Sequence, residues 1–158
     1  GRVFPVGRLD CNTSGALLLT DDGDLAFRLT HPSFGVEKVY RAVVRGKVTS
    51  EDIRQVGEGL VLEDGPSAPA GMRIITSGAR SSTVELTMRE GRKRQVRRMM
   101  EKLSHPVIAL ERVSFGGLTT EGLPPGEYRP LTRAEVRWLK GENIERRKAG
   151  GAGKEHRE

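Results

Sequence analysis

Met72-Arg73-Ile74-Ile75-Thr76-Ser77-Gly78-Ala79-Arg80-Ser81-Ser82-Thr83-Val84-Glu85-Leu86-Thr87-Met88 reads as two strands, Met72 to Thr76 and Ser82 to Met88. They are linked by Ser77-Gly78-Ala79-Arg80 and not by a crossover helix. Outward from this stretch the pattern persists. Downstream, Lys93 to Leu103 is a helix whose apolar positions Val96, Met99, Met100 and Leu103 fall on one stripe. Val107 to Leu110 reads as a buried strand, and Thr132 to Leu139 as a closing helix, with Thr132 as cap and Glu135 three residues on. Upstream, Val36 to Gly46 is a long strand around Val39, Ala42 and Val44. Ser50 to Ile53 starts a helix that Gly57 and Gly59 end. Ala16 to Thr20 reads as a buried strand stopped by Asp21-Asp22-Gly23, and Asp24 as the cap of a short helix that His31-Pro32 ends. Strands outnumber helices and alternate with them irregularly. That predicts an α+β fold, a largely antiparallel mixed β-sheet with a few flanking helices, over a doubly wound sheet.

The chain has 158 residues, 35% apolar and 30% charged, enough for one compact domain. Its longest apolar runs, Ala16-Leu17-Leu18-Leu19 and Val107-Ile108-Ala109-Leu110, are far too short to cross a bilayer, so no membrane partner is expected. The one cysteine, Cys11, excludes an internal disulfide framework and fits a reducing cytoplasm. With His31, His105 and His156 widely spaced, no zinc site or other metal is expected. The start at Gly1, directly before Val3-Phe4-Pro5-Val6, reads as a cut inside or just before a domain, leaving a domain over 1–139 incomplete at its N-terminus. Gly141 to Glu158 holds one large apolar residue, Ile144, so a basic, mobile tail is expected over 140–158.

Charge narrows the function. The net charge is +6 and the sequence pI about 9.9, a balance that suits a phosphate backbone. From Arg89 to Lys102 seven basic residues stand against two acidic ones. A charge run is by default a solvated helix face. Here Arg94 and Arg98 point away from the apolar stripe, while Arg97 sits at its edge, where an arginine either pairs with a carboxylate or snorkels. Cations at Arg92, Lys93 and Arg94 oppose the dipole at the helix start, which fits a surface kept basic for phosphates. A second candidate is Gly7-Arg8-Leu9-Asp10-Cys11-Asn12-Thr13-Ser14-Gly15, a tight loop with a carboxylate at its tip. Its local features alone favour an Asx-type turn between strands. Asp21-Asp22-Gly23-Asp24 lacks the alternating oxygens and distal Glu of a calcium loop and reads as a turn and cap.

Four segments in order resemble the RsuA family of ribosomal RNA pseudouridine synthases. They are Gly7-Arg8-Leu9-Asp10-x-x-Thr13-Ser14-Gly15, Lys38-Val39-Tyr40, Glu90-Gly91-Arg92-Lys93-Arg94-Gln95-Val96-Arg97-Arg98-Met99, and Gly126-Glu127-Tyr128-Arg129-Pro130-Leu131-Thr132. Family members begin with a small S4-type RNA-binding domain and further strands, both missing here. The resemblance implies isomerisation of uridine to pseudouridine, in 23S ribosomal RNA by closest likeness, with no cofactor. It implies Asp10 as the catalytic carboxylate, by direct attack or by removal of the 2′ proton. Tyr40 would stack on the target base and help remove its C5 proton, and Arg97 would pair with Asp10. Arg8 would fill the gap left by the flipped-out base, Leu110 would wall the pocket, and Lys38, Arg92, Lys93, Arg94 and Arg98 would contact phosphates. The expected partner is ribosomal RNA or a ribosome assembly intermediate, met as a cytoplasmic monomer. The alternative is a non-catalytic RNA-binding module on the same fold, which accounts for the charge but not for Asp10, Tyr40 and Arg97 together.

Overall fold

The computed structural model describes residues 2–142; beyond residue 142, the tail expected over 140–158 lies outside the described residues. Three short strands open the chain, Phe4–Pro5 (β1), Thr13–Gly15 (β2) and Leu19–Thr20 (β3), followed by a helix, Gly23–Thr30 (α1). Next come a long strand, Lys38–Arg45 (β4), a helix, Ser50–Glu58 (α2), and the small hairpin Val61–Leu62 (β5) and Gly65–Pro66 (β6). The central hairpin follows, Gly71–Ser77 (β7) and Ser81–Met88 (β8), and then a helix, Gln95–Lys102 (α3). The described chain closes with Val107–Phe115 (β9), Leu118–Thr119 (β10) and a helix, Arg133–Leu139 (α4).

The main sheet runs β10-β9-β4-β8-β7, every neighbour antiparallel, with β2 added parallel to β9. The α+β, largely antiparallel expectation therefore holds. Strand β8 shows why: Ser82, Val84, Leu86 and Met88 are all buried while the residues between them are not, the period of a pleated strand with one covered face. Helices α2 and α3 cover that face, and Val56, Val96, Met99 and Met100 pack with Ala42, Val44, Val84 and Leu86 in one core. A second cluster gathers Val6, Leu25, Leu29, Phe115 and Leu139. Strand β9 feeds both, with Leu110 in the first and Phe115 in the second.

Local chemistry sets the helix ends. Thr49 and Asp52 form a reciprocal capping box on α2, as Thr132 and Glu135 do on α4. His105 ties the start of α2 to the sheet, with ring nitrogens 3.0 Å from the Asp52 carboxylate and 2.7 Å from the Arg45 carbonyl. Four expectations are corrected. Asp22, not Asp24, caps α1, its side chain accepting from the Leu25 N–H at 3.1 Å. Ala16 to Thr20 is not a buried strand: Leu17 and Leu19 are exposed, because pairing with β9 stops at Gly15 and only Leu19–Thr20 pairs again, with β1. The strand starting at Val107 continues to Phe115, since β4 pairs with it along its whole length. Helix α3 starts at Gln95, not Lys93, because Arg94 takes a left-handed conformation, φ 51°, and ends the preceding loop.

Candidate active site

The Asp10 loop is built by turn chemistry. The Thr13 N–H donates to the Asp10 carbonyl at 3.0 Å, and Asn12 occupies the left-handed region at φ 69°, which Asn tolerates better than most residues. Gly15 then lets β2 approach β9 closely. A Cβ at Gly15 would lie 2.2 Å from the Arg112 carbonyl oxygen, and its φ is +120°. Sequence spacing in this motif thus serves two ends, a carboxylate at a turn and a glycine that docks the turn on the sheet.

The loop from Arg89 to Arg94 is held from inside by two residues the sequence reading passed over. Glu90 accepts from the Ala68 N–H at 2.7 Å and the Gln95 amide at 2.6 Å, and buried Gln95 accepts from the Arg92 N–H at 2.9 Å. Burial pushes the Glu90 carboxyl up, but these bonds and the Arg92 charge outweigh it and leave it below its ordinary value. Their signal was a Glu and a Gln five apart around a Gly, an uncharged break in the basic run.

These two loops meet. The Arg94 N–H donates to the Asp10 carboxylate at 3.2 Å, so the opening of α3 receives an anion, the favourable sign for a helix N-terminus. Asp10, Tyr40, Leu110, Val96, Arg8 and Arg94 line one cavity of about 40 Å³. That holds a few waters, and Arg8 and Arg94 on its lining are both exposed. A groove of about 570 Å³ adjoins it, sharing Arg8, Asp10, Tyr40 and Arg92 and adding Lys38, Lys93 and Arg112.

Not every expected residue falls into place. Arg97 does not pair with Asp10, which has no cation within 4.0 Å among the described residues. Arg97 instead donates through Nη2 to the Asn12 carbonyl at 2.7 Å, and its buried Nε has no hydrogen-bond partner. Nor are Arg92 and Arg98 free for phosphates. Asp64, on the β5–β6 turn, lies 3.0 Å from Arg92 and 2.7 Å from Arg98, and Arg92 also donates to the Gly65 and Pro66 carbonyls. The Arg98 hydrogen bond holds the Asp64 carboxyl below its ordinary value. Arg8, Lys93 and Arg94 are exposed and make no ion pair among the described residues. Cys11 is exposed and touches none of this. No group of three or more His, Cys, Asp or Glu among the described residues could hold a metal ion, and no described helix is long and apolar enough to cross a membrane.

Known proteins share this sequence and this fold. The family model described as RNA pseudouridylate synthase matches residues 1–102. The ribosomal large subunit pseudouridine synthase B of Bacillus subtilis is 43% identical over 141 residues, 88% of this chain and 58% of that protein. An uncharacterized RNA pseudouridine synthase of Aquifex aeolicus is 42% identical over 138 residues, 87% of this chain and 55% of that one. A crystal structure of a pseudouridylate synthase superposes with a TM-score of 0.81 at 38% identity, covering 87% of this chain and 59% of that one. The chain thus spans somewhat over half the length of the relatives it matches.

Proposed function

The chain belongs to the RNA pseudouridylate synthase family, and on that premise we propose that it isomerises uridine to pseudouridine in ribosomal RNA, with large-subunit RNA as the substrate. The observation that carries the proposal is the convergence of Asp10, Tyr40 and Leu110 on one cavity also lined by Arg8 and Arg94, which make no ion pair among the described residues. In the reaction the N1–C1′ bond breaks, the uracil turns over, and a C5–C1′ bond forms. C5 loses a proton and N1 gains one. Atoms and oxidation level are conserved, so no cofactor enters.

The residues divide the work. Asp10 is the catalytic carboxylate, attacking the nucleoside or taking its 2′ proton, and the Arg94 N–H fixes its direction. Tyr40 stacks on the flipped base, Leu110 backs it, and Arg8 takes the space it leaves in the RNA stack. Arg97 is a positioning residue that steadies the Asp10 loop through Asn12. Lys38, Lys93 and Arg94 meet phosphates directly; Arg92 and Arg98 do so only by leaving Asp64. The setting we propose is a cytoplasmic monomer acting on ribosomal RNA or an assembly intermediate. A pseudouridine map of ribosomal RNA from cells with and without the gene tests this. Loss of at least one pseudouridine is expected, and an unchanged map overturns the proposal.

A further inference from the structure

Strand register places three side chains in a row that the sequence separates widely. Tyr40 and Arg112 are direct partners across β4 and β9, and Lys38, two residues before Tyr40, shares its face. Arg112 is 3% exposed. Its Nε and Nη2 both donate to the Ala16 carbonyl, at 2.9 and 2.7 Å, and its guanidinium lies 4.6 Å over the Phe115 ring. These contacts place and solvate the guanidinium but leave its charge uncompensated, and it has no carboxylate within 4.0 Å among the described residues.

Lys38 repeats the situation. It is half-buried, forms no ion pair among the described residues, and its ammonium lies below its ordinary pKa through burial first and Arg112 repulsion second, against a weaker pull from Glu90. Its ammonium lies against the loop at Gly91, where a Cβ would stand 3.4 Å from Nζ. Two cations under one groove, neither within 4.0 Å of a carboxylate among the described residues, have only the weaker pull of Glu90 on Lys38 against their charge. The guanidinium Nη1 engages no protein acceptor among the described residues, and both side chains line the groove beside Asp10.

We propose that Lys38 and Arg112 form a single buried anion site that takes a phosphodiester of the RNA strand next to the flipped nucleotide. Resting on the functional reading above, it adds the place where the backbone is gripped while the base occupies the Asp10 cavity. A guanidinium and an ammonium on one face suit a tetrahedral anion with several acceptor oxygens. A base is neutral and cannot balance the two charges.

The test needs no turnover. Inorganic phosphate is titrated into the 158-residue protein against chloride at matched ionic strength, following Tm and the Lys38 side-chain ¹³Cε signal. Phosphate should raise Tm saturably, by about 9 °C at a hundredfold excess over Kd, and move the Lys38 titration to higher pH. Lys38→Met should abolish the phosphate-dependent rise and Lys102→Met should keep it; if Lys38→Met does not fold, the ¹³Cε titration of wild type decides. Uridine 5′-monophosphate should bind at least tenfold more tightly than uridine. No Tm rise beyond chloride, an unmoved Lys38 titration, or an equal rise in folded Lys38→Met overturns the inference. A protein that forms pseudouridine but ignores phosphate refutes only this site, and one that binds phosphate without isomerising uridine refutes only the functional reading.

Discussion

The backbone N–H of Arg94 donates to the Asp10 carboxylate across 3.2 Å, joining residues 84 positions apart. The acid is therefore oriented by main chain, from a residue held at φ 51°, a conformation that costs an L-residue roughly 1–2 kcal/mol. Strain of this kind collects where a surrounding structure has a use for it, and here it aims an amide at a carboxylate.

That geometry separates two substitutions at one position. Arg94→Gly keeps the N–H and relieves the strain while loosening the unfolded chain, so stability should change by less than about 1 kcal/mol. Turnover on saturating RNA should persist with a raised KM, since an exposed cation is lost. Arg94→Pro lacks the donor and cannot adopt the backbone angle, and should abolish turnover. Steady-state kinetics with parallel thermal melts reads both; similar kcat values for the two variants would show that the amide does not matter.

Asp64 holds both Arg92 and Arg98, so on the proposed function it competes with RNA for them. Asp64→Asn should release both, tightening RNA binding and steepening its salt dependence by about one to two phosphate contacts. Filter binding at several salt concentrations measures the slope. Unchanged affinity and slope would place the two arginines outside the RNA footprint.

Gly15 is where the Asp10 loop meets β9, with the Arg112 carbonyl 2.2 Å from any added Cβ. Gly15→Ala should cost about 2–4 kcal/mol in a denaturant titration, because the obstacle is backbone and cannot rotate away. A cost under about 1 kcal/mol would mean that β2 and β9 are not so closely docked.

Glu135 gives a pH signature remote from the site. The Arg129 side chain, 2.8 Å away, and the Thr132 cap hold its carboxyl at about 2, down from 4.5. Its folded value lies below its unfolded one, so its contribution is present above about pH 4.5 and is lost as pH falls towards 2. Glu135→Gln should lower stability at neutral pH, and the difference from wild type should shrink across that window. A constant difference would sink the assignment.

How much of this the sequence disclosed follows from the range of the interactions. Stripes and caps are local, so the helix around Val96 to Met100 and the Thr132 and Glu135 box were readable directly. The first and third of the four motifs also mark the two loops that meet at Asp10. What stayed hidden depends on partners far along the chain. Asp64 reaches Arg98 across 34 residues, and Arg112 becomes a buried cation only because β9 lies between β4 and β2. Arg97 is readable as an arginine at the edge of the α3 stripe, but its partner, the Asn12 carbonyl, lies 85 residues away.

The central claim is that Asp10 does the chemistry. Because isomerisation expels the C5 hydrogen, ribosomal RNA carrying tritium at uridine C5 reports turnover as label released into water. Asp10→Asn should release none while melting within a few degrees of wild type, since the residue sits on a loop outside both core clusters, and while binding RNA about as well. Release at the wild-type rate by a folded Asp10→Asn protein would contradict the account.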